Sequence, residues 1–189
     1  MARIPLLFIA AFLAGCAWTV APMPPIIGAA RDGDVARLER LLKAGADPNV
    51  HAGVNGWTPL MHAIHKNQPR SVEVLLAHGA RVNERGGAGV TALIMAAGYG
   101  YTGIVETLLR AGADVSCTSD DGWDALSAAV GGVPDIDRFT VGHCQTSTVR
   151  ALLAAAPDLR LRADSGALRI AKFRGCSEVV ALVRPAGAH

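Results

Sequence analysis

His62 and His65 lie three positions apart, and on a helix that spacing puts two imidazoles on one face, the beginning of a metal site. A zinc centre needs further ligands, and none follows at a set spacing, so the pair reads as two unligated histidines. Gly86-Gly87-Ala88-Gly89 has the composition of a phosphate-cradling loop. It lacks the Lys-Ser/Thr that would reach phosphate and metal, so it reads as a hairpin tip. Asp120-Asp121 and Asp135/Asp137 are carboxylate pairs of the kind used in general acid–base work. Both stand among loop-forming residues, where carboxylates are ordinarily just solvated. There is no Gly-x-Ser-x-Gly elbow, no Cys/His pair with an orienting third group, and no Cys-x-x-Cys among Cys16, Cys117, Cys144 and Cys176. The sequence therefore leads us to expect no catalytic residue, no metal, no cofactor and no small-molecule substrate.

Composition points the same way. The chain has 189 residues, enough for one domain and a short extension. With 51% hydrophobic and 18% charged residues it can bury a core and is not disordered throughout. A net charge of +2 and 5% aromatic residues supply neither a basic face nor base-stacking platforms, which argues against nucleic acid as a partner.

The first residues read as an address. Ile4 to Val20 is an apolar run broken by Pro5, preceded by Arg3 and the α-amine and ending in small residues, the pattern of an export signal. Leu13-Ala14-Gly15-Cys16 resembles the lipobox of bacterial lipoproteins. That resemblance implies a signal peptide over 1–15, lipidation of Cys16 as the first mature residue, and, with Ala17 rather than Asp next to it, retention at the outer membrane facing the periplasm. Ordinary cleavage after Ala17 and an uncleaved anchor are the alternatives. Residues 16–25, with Pro22, Pro24 and Pro25, read as an extended tether.

What remains is repetitive. Leu41-Leu42-Lys43-Ala44-Gly45-Ala46-Asp47 recurs as Leu75-Leu76-Ala77-His78-Gly79-Ala80-Arg81 and as Leu108-Leu109-Arg110-Ala111-Gly112-Ala113-Asp114, with a weaker copy at Leu152-Leu153. The glycines are 34 and then 33 residues apart. A second set, Gly56-Trp57-Thr58-Pro59-Leu60, Gly89-Val90-Thr91-Ala92-Leu93 and Gly122-Trp123-Asp124-Ala125-Leu126, has glycines 33 apart. Each copy reads as a helical hairpin. Thr58-Pro59 is a helix start, with Thr as N-cap and Pro where its missing N–H costs nothing. Val72, Leu75 and Leu76 mark the apolar face of a second helix, and Gly79 ends it in a left-handed conformation.

These residues resemble the ankyrin repeat, in its period, its Thr-Pro-Leu start and its Leu-Leu followed by Gly-Ala-Asp. The resemblance implies an all-α solenoid of helical hairpins joined by short β-hairpin fingers. Residues 26–189 divide into about five units, 26–52, 53–85, 86–118, 119–163 and 164–189, the first and last acting as caps. The family's usual His after Thr-Pro-Leu is replaced by Met61, Ile94, Ser127 and Arg169.

By the same resemblance a protein partner would lie on the concave face. It would touch finger tips, the residue before the Thr-Pro position, and the exposed end of the first helix. Carried over position by position, these are Asn55, Trp57, His65, Lys66, Arg85, Val90, Tyr99, Asp120, Asp121 and Trp123. Trp57, Tyr99 and Trp123 are three of the nine aromatic residues in the chain. Such side chains anchor interfaces because they bury much area with few rotors to freeze; equally, each can simply pack over its own hairpin. The expected function is a non-catalytic, lipid-anchored protein-binding module of the bacterial envelope. The alternative is a regulator or immunity-type protein that inhibits or shields a periplasmic enzyme.

Unit four has 18 residues between Val130 and Val149, where unit three has 7 between Ala97 and Val105. Counting back from Leu152-Leu153 and from Val179-Val180 puts Cys144 and Cys176 at the same turn of adjacent units, and predicts a disulfide between them, with two unpaired thiols as the alternative. Cys117 is left without a partner.

Overall fold

The structure, a computed structural model, describes residues 22–131, 144–159 and 166–183. The expectations for Cys16, for the signal and most of the tether, and for Asp135 and Asp137 fall outside those residues. Ten α-helices occur among the described residues: α1 (Pro25–Asp32), α2 (Val35–Lys43), α3 (Pro59–His65), α4 (Pro69–Ala77), α5 (Ala92–Tyr99), α6 (Thr102–Arg110), α7 (Ala125–Gly131), α8 (Thr146–Ala155), α9 (Gly166–Phe173) and α10 (Ser177–Val183).

They form five antiparallel pairs stacked in two layers. The first helices make one row, α1 against α3, α3 against α5, α5 against α7 and α7 against α9. The second helices make the other, α2, α4, α6, α8 and α10 in order. This is the all-helical repeat solenoid that the resemblance to the ankyrin repeat implies.

Local sequence sets each helix. Thr58 and Thr91 are extended residues whose hydroxyls accept from Met61 N and Ile94 N, satisfying an otherwise unpaired amide at each helix start. Asp34 does the same for Arg37 N at the start of α2. α1 begins at Pro25, so the helical unit takes in the last residue expected of the tether. Gly79 ends the hairpin of α3 and α4 at φ 86°, a conformation costly for a side-chain-bearing residue.

Burial follows the 3.6-residue period. Val72 and Leu75, Val105 and Leu108, and Val149 and Leu152 are fully buried between the layers, at equivalent places in three consecutive second helices. In the first pair, Leu38 is fully buried, while Leu41 is half-buried where its equivalents Leu75 and Leu108 are fully so; among the described residues α2 has α4 beside it in its row on one side. In α5 every residue is buried, since the middle first helix is packed by neighbours on both flanks and by α6 behind.

The fingers are slighter than hairpin strands. Ala52 pairs with Trp57 and Arg85 with Thr91 as isolated antiparallel bridges. In the third finger Ser119 N donates to Trp123 O at 2.8 Å. Successive tips are tied by backbone bonds, Gly87 N to Asn55 O (2.7 Å) and Asp120 N to Ala88 O (2.9 Å). A β-carbon on Gly87 would lie 2.5 Å from Asn55 O, so only glycine allows this approach.

Candidate protein-binding face

Trp57 closes the first finger and lays its indole along the helix that follows. Its ring centroid is 5.5 Å from that of His62, edge to face, and 5.2 Å from that of His65. Those histidines are i, i+3 on α3, so the Trp57 ring covers the very pair that looked like a metal site. His65 in turn accepts or donates at Nδ1 with Tyr99 Oη, 2.9 Å away in the next unit. Tyr99 and Tyr101 follow with centroids 5.4 Å apart. The result is a continuous row, Trp57, His65, Tyr99, Tyr101, running across two repeats.

The expected contact residues therefore divide by burial. His65 and Tyr99, expected at an exposed helix end, are 7% and 8% exposed because each fills the gap to the other across the repeat boundary. Lys66, Asn55, Arg85, Asp120 and Asp121 are exposed, and Trp57, Val90 and Trp123 are half-buried. The second tryptophan is held differently from the first: its ring lies over Gly131 at the end of α7, and a β-carbon there would come within 2.8 Å of Trp123 Cζ3. In the intervening unit Val90 stands in the tryptophan's place and Gly98 in that of His65 and Gly131.

Charges at the finger tips are mutually engaged. Arg85 Nη2 pairs with Asp120 Oδ1 at 2.9 Å, and Arg85 Nη1 donates to Thr118 O at 2.9 Å. Asp120 keeps 66% of its side chain exposed in that pair, so the ion pair ties two fingers together without withdrawing the carboxylate from solvent. Asp121 extends the acidic tip beside it. At the other end of the row, Val54 is completely exposed on the first finger.

His62 is half-buried, and its Nε2 is buried with no hydrogen-bond partner. Desolvation, chiefly, holds its pKa below the usual histidine value, with the nearby His65, Arg31 and Lys66 charges adding to the effect; a hydrogen bond with the Ala52 backbone works the other way. A neutral ring under an indole suits packing. Among the described residues no group of three or more His, Cys, Asp or Glu could hold a metal ion, and no helix is long and apolar enough to cross a membrane.

Sequence reasoning missed the links between repeats. Asn49 Oδ1 accepts from Arg81 N (2.7 Å) and its Nδ2 donates to Gly79 O (3.2 Å). Asn83 repeats both bonds one unit on, to Asp114 N (2.8 Å) and Gly112 O (3.2 Å). The signal was available in Asp47-Pro48-Asn49 and Arg81-Val82-Asn83, two asparagines 34 residues apart and each a fixed distance beyond the helix-ending glycine.

Cys144 and Cys176 are joined by a disulfide, with Cα atoms 5.5 Å apart, and Cys117 is free. The two half-cystines stand just before α8 and α10, at the turn where counting placed them. In other units the same turn is bridged by side chains: Gln68 lies against Gly33, and Gln145 lies against Gly100 and donates to Gly98 O (3.0 Å). The disulfide puts a covalent bond where glutamine otherwise reaches back to the preceding unit.

Stacked helical hairpins, glycine-ended second helices and tip-linked fingers define a class, the ankyrin-type solenoid. Comparison with known proteins agrees: residues 26–119 match the family model for ankyrin repeats, in three copies, so that region consists of ankyrin repeats. Over 74 residues the chain is 43% identical to the B-cell lymphoma 3 protein homolog of Mus musculus, covering 39% of this chain and 16% of that protein. Over 71 residues it is 41% identical to the 2-5A-dependent ribonuclease of Mus musculus, covering 38% and 10%. Over 112 residues it is 36% identical to the glycerophosphocholine phosphodiesterase gde1 of Schizosaccharomyces pombe, covering 58% and 10%. The chain thus spans no more than about a sixth of the length of these relatives.

Proposed function

We propose that this protein is a non-catalytic module that binds a protein partner across the face made by its finger tips and first helices. The observation that carries the reading is the placement of Trp57 and Trp123. Both are large, half-buried side chains two units apart on that face, each seated rigidly against its own first helix. An interface anchor needs area at low entropic cost, and an indole already fixed on one side offers both. Between them stands the half-buried Val90, smaller than either indole, and exposed Lys66, Arg85, Asp120 and Asp121 give a polar rim. An extended solenoid face favours a macromolecular ligand over a small molecule enclosed in a pocket.

The lipobox-like segment supports a further part of the reading, that Cys16 carries a lipid anchor and the repeats face the periplasm from the envelope. Several acyl chains on one residue exceed what stable membrane attachment requires. The test of the binding role is affinity capture from detergent-solubilised membranes with the wild type and the Trp57→Ala/Trp123→Ala variant. A stoichiometric protein held by the wild type and lost by the variant is the expected result. Equal recovery from both would refute the role given to the tryptophans.

A further inference from the structure

The last hairpin is the weakest link of the stack. α9 and α10 bury Ala167, Leu168, Ala171, Val179 and Val183, with Leu168 the only one larger than valine. The hairpin of α5 and α6, by contrast, buries Leu93, Ile94, Met95, Tyr99, Ile104 and Leu108. In a solenoid each unit is stabilised by its own packing and by its neighbours', and among the described residues the last hairpin packs chiefly on α7 and α8. The Arg150–Glu178 ion pair also crosses to it, with both side chains more than half exposed, so its contribution is small. The Cys144–Cys176 bond is the covalent tie among the described residues. Its two ends differ: Cys144 is exposed and Cys176 is 5% exposed.

What α9 holds in place is part of the binding face. The Trp123 ring and α9 meet on the same side of Gly131, where a β-carbon would be 2.8 Å from Trp123 Cζ3 and 3.8 Å from Ala167 Cα. Arg174 Nη1 also reaches the Gly131 carbonyl at 3.4 Å. Loosening α9 opens the side of Gly131 on which the Trp123 ring is seated.

We propose that the Cys144–Cys176 disulfide is a redox clamp: closed, it keeps the last hairpin docked and Trp123 seated; opened, it releases both while the first three hairpins stay folded. Opening is thiol–disulfide exchange with a dithiol reductant. A thiolate of the reductant attacks Sγ of the exposed Cys144, forming a mixed disulfide as the Cys144–Cys176 bond breaks and Cys176 leaves as thiolate and takes up a proton. The reductant's second thiol then attacks its own sulfur in that mixed disulfide, freeing Cys144 as a thiol. The two electrons gained by the cysteine pair are those lost by the dithiol, which ends as a disulfide. The release of α9 and α10 stands independently of any partner; only its effect on binding through Trp123 rests on the function proposed above.

Hydrogen exchange of the full chain, followed by mass spectrometry with and without dithiothreitol, tests the clamp. The expected result is at least tenfold faster exchange in residues 166–183 and 123–131 on reduction, with residues 26–110 unchanged. Cys144→Ser should show the fast pattern without reductant, and Cys117→Ser should respond as the wild type does. Unchanged exchange in 166–183 on reduction, or loss of protection throughout the chain, would overturn the clamp whatever the partner proves to be. Faster exchange confined to 166–183 would overturn the link to Trp123. If the exchange result holds, a captured partner should be retained less by the reduced chain than by the oxidised one; equal retention would overturn the coupling to binding.

Discussion

His62 shows how one side chain reports on the packing of the aromatic row. Burial beneath Trp57 keeps its folded pKa below the usual histidine value, whereas in the unfolded chain it titrates near about 6.5. The folded state therefore binds fewer protons than the unfolded state as pH falls through that range. Stability from the neutral ring is fully present above about pH 6.5 and is lost as pH falls toward the lowered folded pKa. Thermal unfolding midpoints should accordingly drop between pH 7 and pH 5, with a shallower drop in His62→Gln; parallel curves would remove His62 from the account. At Trp57 and Trp123, substitution by Ala should each weaken partner binding by more than about 1 kcal/mol, the usual threshold for an interface hot spot, while the far-ultraviolet helical signal persists. Loss of that signal would mark the tryptophan as a core residue instead. The spacing of the copies revealed both tryptophans, but not that His65 and Tyr99 would bury each other. A repeat pattern fixes where a residue stands within its unit; which side chain meets it from the next unit depends on reach and rotamer.

At the scale of the element, caps and inter-repeat links carry distinct signatures. Thr58→Ala removes the acceptor for Met61 N at the start of α3 and should cost about 1 kcal/mol in urea unfolding. Asn83→Ala breaks two bonds across a repeat boundary, to Gly112 O and Asp114 N, and should cost about 1–2 kcal/mol. A cost within error of zero would assign those loops no share in coupling the units. Reducing the disulfide, which spans 32 positions, should lower stability by about 2–4 kcal/mol, with the loss read mainly from the C-terminal hairpins. Helix positions were legible because Thr-Pro, Leu-Leu and Gly each impose a local conformation. The cysteine pairing was legible for a different reason, since counting back from Leu152-Leu153 and Val179-Val180 places both residues at one turn. Cα atoms 5.5 Å apart show that the turns approach more closely than helix axes do, so the chain bridges the gap that helix packing distances leave. The fingers departed from expectation. Each described finger forms at most a single bridge, because glycine-rich tips such as Gly86-Gly87-Ala88-Gly89 turn too soon for a ladder and are held by their neighbours instead.

For the whole molecule, the solenoid places one edge of every unit on a common face, so binding area grows by repetition and needs no enclosed pocket. The proposed anchor at Cys16 would confine that face to a membrane surface. Cys16→Ser should release the protein from the membrane fraction or stall its processing; a variant that fractionates and migrates like the wild type would contradict the anchor. The central claim, that the partner lies on the finger and first-helix face, is tested most directly by photo-crosslinking from defined positions. A photoreactive amino acid at Val90, between the two tryptophans, or at exposed Lys66 should link to one partner protein in stoichiometric yield. The same group at exposed Glu73 or Glu106, on the second helices α4 and α6, should give no such product. Equal crosslinking from both faces, or crosslinking from the second helices alone, would contradict the account.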